Sequence, residues 1–254
     1  MLKHRVIPAL LLHHDGLVKT RQFKDPKYVG DPLNAIRIFN EKEVDELLLL
    51  DIAASRQGSE PNYDLIESFA TECFMPFCYG GGIKRLDQVE RLFRLGVEKV
   101  SLQTATRSDL ELVTRVAERY GSQAVVGAVD IKTDWKGARQ LYWSVDGSTQ
   151  RDWRAHVAAL VSAGVGEILL NSVDRDGMMG GMDLKLIREA TADLPVPLVA
   201  LGGVGSLDHI REAVEAGASA VAAGAFFVFH GRHRAVLITY PLYETLEELL
   251  NPIA

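Results

Sequence analysis

The chain reads as an α/β protein, a (β/α)8 TIM barrel with a two-fold half-barrel internal repeat, and three observations predict this. Eight short, nearly continuous apolar runs recur along the 254 residues with helical stretches between them, the pattern of parallel strands covered by helices on the outside. One segment occurs twice: Met75 to Thr104 (MPFCYGGGIKRLDQVERLFRLGVEKVSLQT) aligns without a gap on Val196 to Ala225 (VPLVALGGVGSLDHIREAVEAGASAVAAGA). Each copy is a strand, a glycine turn, an amphipathic helix closed by glycine and a second strand, so one βαβ unit is used twice. With 47% hydrophobic residues the chain can bury a large core. No linker interrupts the alternation, so residues 1–254 are expected to form a single barrel domain.

In order, the strand runs are Arg5 to Leu12, Glu46 to Asp51, Phe77 to Gly80, Lys99 to Leu102, Ala124 to Asp130, Glu167 to Asn171, Leu198 to Leu201 and Ala220 to Ala223. Between the first two, Asp31-Pro32 sets a cap and first-turn proline before LNAIRIFNEKEV. Asp109 precedes LELVTRVAERYG, which stops at Gly121. Further helices begin near Tyr63, Leu86, Trp153, Leu184 and Leu207. The repeat also reaches the second and sixth strands, where Glu46-Leu-Leu-Leu-Leu matches Glu167-Ile-Leu-Leu-Asn. A barrel of two related halves should carry two similar sites on its rim.

A net charge of −6 without a Lys/Arg cluster argues against a nucleic-acid or anionic-membrane surface and leaves a small anionic ligand open. No signal-peptide pattern and no apolar run of roughly 20 residues occurs, so a soluble cytoplasmic protein is expected. Cys73 and Cys78 lie in or beside a buried strand and read as core thiols, with neither a disulfide framework nor a metal site. No cofactor and no metal are called for.

Ligands of parallel barrels bind at the C-terminal strand ends, and phosphates favour turns whose glycines expose backbone N–H groups beside a helix N-terminus. Gly80-Gly81-Gly82 follows the third strand and Gly202-Gly203 the seventh; their companions after the fourth and eighth are Gln103-Thr104 and Gly224-Ala225. A lone Gly-Gly usually makes only a tight turn. Its recurrence at matching strand ends points to two phosphate cradles on opposite sides of one mouth, suited to a ligand phosphorylated at both ends.

These residues, with DELLLLDIAAS, PFCYGGGIK, GVEKVSLQTA, GSQAVVGAVD, GVGEILLNSVDRDG and ALGGVG, resemble the cyclase subunit of imidazole glycerol phosphate synthase over nearly the whole chain. The resemblance implies a barrel that closes an imidazole ring on a bisphosphorylated ribonucleotide, with ammonia from a glutaminase partner and two aspartates at opposite strand ends as general acid and base. One is retained as Asp130. At the other position stands Leu11, within Ala9-Leu-Leu-Leu-His-His-Asp-Gly, and a leucine cannot transfer a proton. His13, His14 and Asp15 fall one or more residues farther along, in the turn. Loss of a positioned acid or base typically costs about 10²–10⁴ in rate, which counts against cyclase activity.

The same resemblance places Lys19, Asp51, Ser144 and Asp176 where the family has polar mouth residues, while Gln103, Asn171 and Leu201 replace what look like Asn, Thr and Ser. At the opposite barrel end it implies an ammonia gate of four charged residues, all kept: Arg5, Glu46, Lys99 and Glu167. Two acids and two bases at one end are also what a purely stabilising ion-pair ring would need. Finally, KYVGDPLNAIRIFNEKEVDEL, ECFMPFCYGGGIK and FFVFHGRHRAVLITYP resemble a branch linked to acetamidino modification of bacterial surface sugars of the lipopolysaccharide O-antigen type. That branch carries a hydrophobic residue in place of the first aspartate. It implies a heterodimer with a glutaminase at the N-terminal barrel face, a separate sugar amidotransferase and ammonia conduction; the alternative is a working cyclase and lyase of histidine biosynthesis.

Overall fold

The computed structural model describes residues 4–231 and 233–250. Eight parallel strands form the closed barrel: β1 (Arg5–His13), β2 (Leu47–Asp51), β3 (Phe77–Gly80), β4 (Lys99–Leu102), β5 (Val125–Thr133), β6 (Glu167–Ser172), β7 (Leu198–Leu201) and β8 (Ala220–Ala223). Neighbours pair in sequence order, β8 returns to β1, and β5 pairs with β6 to join the halves. The outer ring is α1 (Pro32–Glu41), α2 (Tyr63–Glu72), α3 (Leu86–Arg94), α4 (Glu111–Tyr120), α5 (Trp153–Ala163), α6 (Leu184–Thr191), α7 (Leu207–Glu215) and α8 (Tyr243–Leu250). Among the described residues no helix is long and apolar enough to cross a membrane.

Side-chain caps explain where the helices start. Asp31 accepts the Asn34 N–H at 2.8 Å, Asp152 that of Ala155 at 3.0 Å and Asp183 that of Leu186 at 2.9 Å, each satisfying a first-turn donor that has no partner inside its helix. Asp109 does the same for Leu112 at 3.1 Å. The duplicated unit is duplicated in space: β3, α3 and β4 begin and end at positions matching β7, α7 and β8. Its turn glycines take positive φ in both copies, +125° and +72° at Gly81 and Gly82, +98° and +104° at Gly202 and Gly203. Side chains other than glycine rarely adopt such backbone.

Strand alternation splits the core in two. Val6, Leu10 and Leu12 of β1 pack outward against helices with Phe39, Leu49, Tyr79 and Phe227. Ile7 and Ala9 point inward with Leu48, Cys78, Val126, Leu169, Val199, Ala220 and Ala222 and fill the barrel. Cys78 is thus a core thiol whose pKa burial drives upward, and Cys73, half-buried at the end of α2, donates to the Met75 carbonyl at 3.3 Å.

Three features differ from the sequence expectations. Glu46 and Ala124 lie just outside their strands, Ala124 in a short 3-10 turn, and His13 is the last residue of β1, paired with Gly16. Two hairpins also rise from the C-terminal face: Gly16–Arg21 with Lys24–Gly30, continuing antiparallel from β1, and Arg139–Tyr142, pairing with the end of β5 and with Thr149–Gln150. The chain then returns to the opposite end, where the Tyr240 hydroxyl donates to the Val6 carbonyl at 2.8 Å.

Candidate functional site

The mouth at the C-terminal strand ends is one recess. It is lined by Leu11, Lys19, Asp51, Gln103, Thr104, Asp130, Ser144, Asn171, Asp176 and Leu201, and by the glycine turns Gly81-Gly82, Gly202-Gly203 and Gly224-Ala225. Every mouth and cradle residue expected from the sequence is therefore in one place. His13, His14 and Asp15 are not on its wall. Its floor is formed by Ala9, Leu50, Ser101, Ala128 and Leu169.

Asp130 ends the inward-facing series of β5, paired in register with Asn171 of β6. Its carboxylate accepts from Gln103 Nε2 at 2.8 Å, and the same amide donates to the Tyr142 carbonyl at 3.0 Å. Burial pushes the Asp130 carboxyl up to about 7, against a hydrogen bond with Asn171 that works the other way, with Asp176 adding to the rise. Desolvation of the charged form is the physical cause. Leu11 occupies the inner face of β1, which lies diametrically across the barrel from β5.

Two other carboxylates of the mouth each use one oxygen to hold local structure. Asp51 Oδ1 accepts the N–H groups of Ala53 and Ala54, both at 2.9 Å. Asp176 accepts from Thr20 Oγ1 at 2.7 Å and from the Phe23 N–H at 3.2 Å, tying the first hairpin to the loop after β6. Neither stands on β1, where Leu11 lies across the mouth from Asp130.

Lys19 is buried at 6% exposure, with Nζ donating to the Ala9 carbonyl at 2.5 Å. A Cβ on Gly224 would meet that Nζ at 2.7 Å, so the ammonium stands directly against the second cradle. Burial lowers its pKa to about 8 and Asp176 opposes the fall. The buried Oδ1 of Asn171, also beside this cradle, has no hydrogen-bond partner. In the first cradle the Gly82 N–H donates to Ser55 Oγ at 3.2 Å. Ser55, Thr20, Phe23 and Arg56, also on the wall, were not legible from the sequence because hairpin and loop packing bring them there. Arg56 Nε donates to the Ser144 carbonyl at 2.9 Å.

At the other end of the barrel Arg5, Glu46, Lys99 and Glu167 form a closed ion-pair ring. Arg5 bridges Glu46 and Glu167, while Lys99 Nζ lies 2.9 Å from Glu46 and 3.5 Å from Glu167. The glutamates are buried, and Arg5 is the most exposed member, its side chain 30% exposed. Between ring and mouth floor lies the apolar barrel core.

The family described as Histidine biosynthesis protein matches residues 5–234. The chain belongs to that family. Among its relatives is an imidazole glycerol phosphate synthase subunit HisF from Exiguobacterium sibiricum, 38% identical over 98% of this chain and 97% of that protein. A Pseudomonas aeruginosa protein, provisionally named imidazole glycerol phosphate synthase subunit hisF2, is 55% identical over 95% of this chain and 97% of its own. A Vibrio vulnificus protein with the provisional name hisF3 of the same enzyme is 49% identical over 95% and 94%. Family membership agrees with the barrel and with the resemblance drawn from the residues. Within FFVFHGRHRAVLITYP, Arg234 donates to the Gly177 and Met178 carbonyls at 3.3 Å each; Arg232 lies outside the described residues.

Proposed function

We propose that this cyclase-like barrel pairs with a glutaminase at its N-terminal face and conducts ammonia to a sugar amidotransferase, for acetamidino modification of a surface sugar of the lipopolysaccharide O-antigen type in the cytoplasm. The observation that carries the reading is a contrast between the two barrel ends. The ring of Arg5, Glu46, Lys99 and Glu167 is complete, whereas Asp130 faces Leu11 across the mouth. In this reading the ring is the ammonia gate, and the glycine turns with Lys19 and Thr104 are phosphate sites inherited with the fold. Buried charges must be paired whatever their role, so what favours conduction is the complete ring beside a mouth with Leu11 opposite Asp130.

The test mixes the purified chain with its cognate glutaminase. A complex is expected to form, glutamine to be hydrolysed, and no imidazole glycerol phosphate to arise from the bisphosphorylated ribonucleotide; robust product overturns the reading. Asp130, its raised pKa and the two cradles favour a second reading, an active cyclase and lyase of histidine biosynthesis. Under that reading the chain rescues a cyclase-deficient strain without histidine, and Asp130→Asn abolishes the rescue.

A further inference from the structure

The mouth has a polar side and an apolar side, and strand register sets the division. Asp130 and Asn171 are paired neighbours on β5 and β6. Gln103 completes that side with an amide that is fully used: Nε2 donates to Asp130 and to the Tyr142 carbonyl, while Oε1 accepts from Thr104 Oγ1 at 3.3 Å and from Ser144 Oγ at 3.1 Å. On the other side stand Leu201 at the end of β7, Ala223 at the end of β8, and Leu11 and Leu50, which pair in register on β1 and β2. The three leucines are half-buried, and Leu50 and Leu201 pack against the apolar barrel core. Between Leu201 and Leu11 the strands offer only Ala223 and Ala9 to the mouth, and the Ala9 carbonyl is already taken by Lys19.

The second cradle opens onto this apolar side. Gly202 and Gly203 follow Leu201 directly, and Gly224 follows Ala223. Lys19 is buried with Nζ against Gly224; one of its N–H donors goes to the Ala9 carbonyl, and among the described residues the others have no acceptor. The N–H groups of Gly203 and Gly224 likewise have no acceptor among the described residues. Asp176, the carboxylate whose charge acts on Lys19, accepts from Thr20 and from the Phe23 N–H. An ammonium with spare donors beside open backbone N–H groups fits a phosphate. The carbon chain esterified to that phosphate then has Leu201, Ala223 and Leu11 as its neighbours. A hydroxyl placed there loses water without gaining a partner, whereas a methylene gains by leaving water.

We infer that the second cradle takes a phosphate monoester whose adjoining carbon chain is apolar, and that Leu11 and Leu201 select against a hydroxylated chain. This rests on the reading of the glycine turns as phosphate sites and goes beyond it by naming the ligand class. Calorimetry of the full-length chain with inorganic phosphate, n-pentyl phosphate and a pentitol phosphate of the same chain length tests it. The pentyl ester should bind about tenfold or more tightly than the pentitol ester. Leu201→Ser should bring the two esters to within about threefold of each other while leaving inorganic phosphate unchanged. Leu11→Asn should do the same, so the result does not hang on one variant folding. Lys19→Met should weaken all three ligands by about tenfold. Equal binding of the two esters by the wild type, or a preference that survives both leucine substitutions, overturns the inference and leaves the cradle standing. Failure of all three to bind, or binding indifferent to Lys19→Met, removes the cradle and the inference with it. None of these outcomes touches complex formation with the glutaminase, on which the conduit reading is judged separately.

Discussion

Replacing Glu46 by glutamine tests whether the ring is a closed, desolvated network. The Glu46 side chain is 6% exposed, takes Arg5 on one oxygen and stands 2.9 Å from Lys99 Nζ on both. Without its charge, Arg5 and Lys99 share Glu167 alone, and the Lys99 contact to that residue is the looser one at 3.5 Å. One positive charge is left uncompensated in a mostly buried ring. Removing one partner of a buried ion pair costs about 3–5 kcal/mol. For a domain of this size each kcal/mol moves the melting temperature by about 2–4 °C, so Glu46→Gln is expected to melt about 6–20 °C lower. Adding Lys99→Met restores neutrality and should recover about 1–3 kcal/mol through coupling of the two sites. Thermal and urea unfolding of the single and double variants provides the measurement. A single variant within about 1 kcal/mol of wild type, the range of an exposed pair, with no recovery in the double, would falsify the closed ring.

Asp130→Asn tests the raised carboxyl. A group lifted from 3.8 to about 7 by burial leaves the fold unpenalised below about pH 4 and costs it stability as pH rises through 7. The full penalty is about 4 kcal/mol, reduced to roughly 2 because the residue is only partly buried. Urea midpoints at pH 4 and 8 should therefore show equal stability at the lower pH and a more stable Asn variant at the higher; equal curves at both contradict the assignment. Lys19, with its pKa near 8, loses its charge within the working range. Sulfate, whose own charge is constant there, should bind more weakly at pH 9 than at pH 7 and about tenfold more weakly to Lys19→Met; calorimetry showing no pH dependence removes Lys19 from the cradle. At Gly203 a Cβ would meet the Gly181 carbonyl at 2.3 Å on backbone of φ +104°, so Ala there should cost about 2 kcal/mol or more. Gly180→Ala, with open space around it, should stay within about 0.5 kcal/mol, and thermal melts compare the two.

The barrel was legible because its signals are periodic and local. Apolar runs mark all eight strands, and the glycine turns and capping residues punctuate them at matching places in both halves. The two mouth hairpins were not. Lys24–Gly30 is exposed over its first five residues, so KDPKYVG has neither an apolar run nor alternation to report. Arg139–Tyr142 pairs with the end of β5 through residues that are half polar. Site residues on strand ends, such as Asp130 and Asn171, could be placed by register, whereas the link from Gln103 to Asp130 and Tyr142 depends on where a hairpin lands. The ring members were identifiable by type and position, but their closure is a matter of side-chain reach.

On the conduit reading, the interior decides what can travel. Between the ring and the mouth floor stand Ile7, Leu48, Cys78, Val126, Val199 and Ala220, all buried and without a charged side chain. A small neutral molecule loses only a few hydrogen bonds on crossing such a layer, whereas an unpaired cation loses most of its hydration. Such a layer favours a neutral molecule over an ammonium ion, which is the selectivity the conduit reading needs. Within that ring the glutamates are fixed by burial, while Arg5 is the member water reaches most easily. Opening by one arginine leaves Lys99 between Glu46 and Glu167, so the network keeps a cation at its centre and the cost of opening stays below that of breaking the ring.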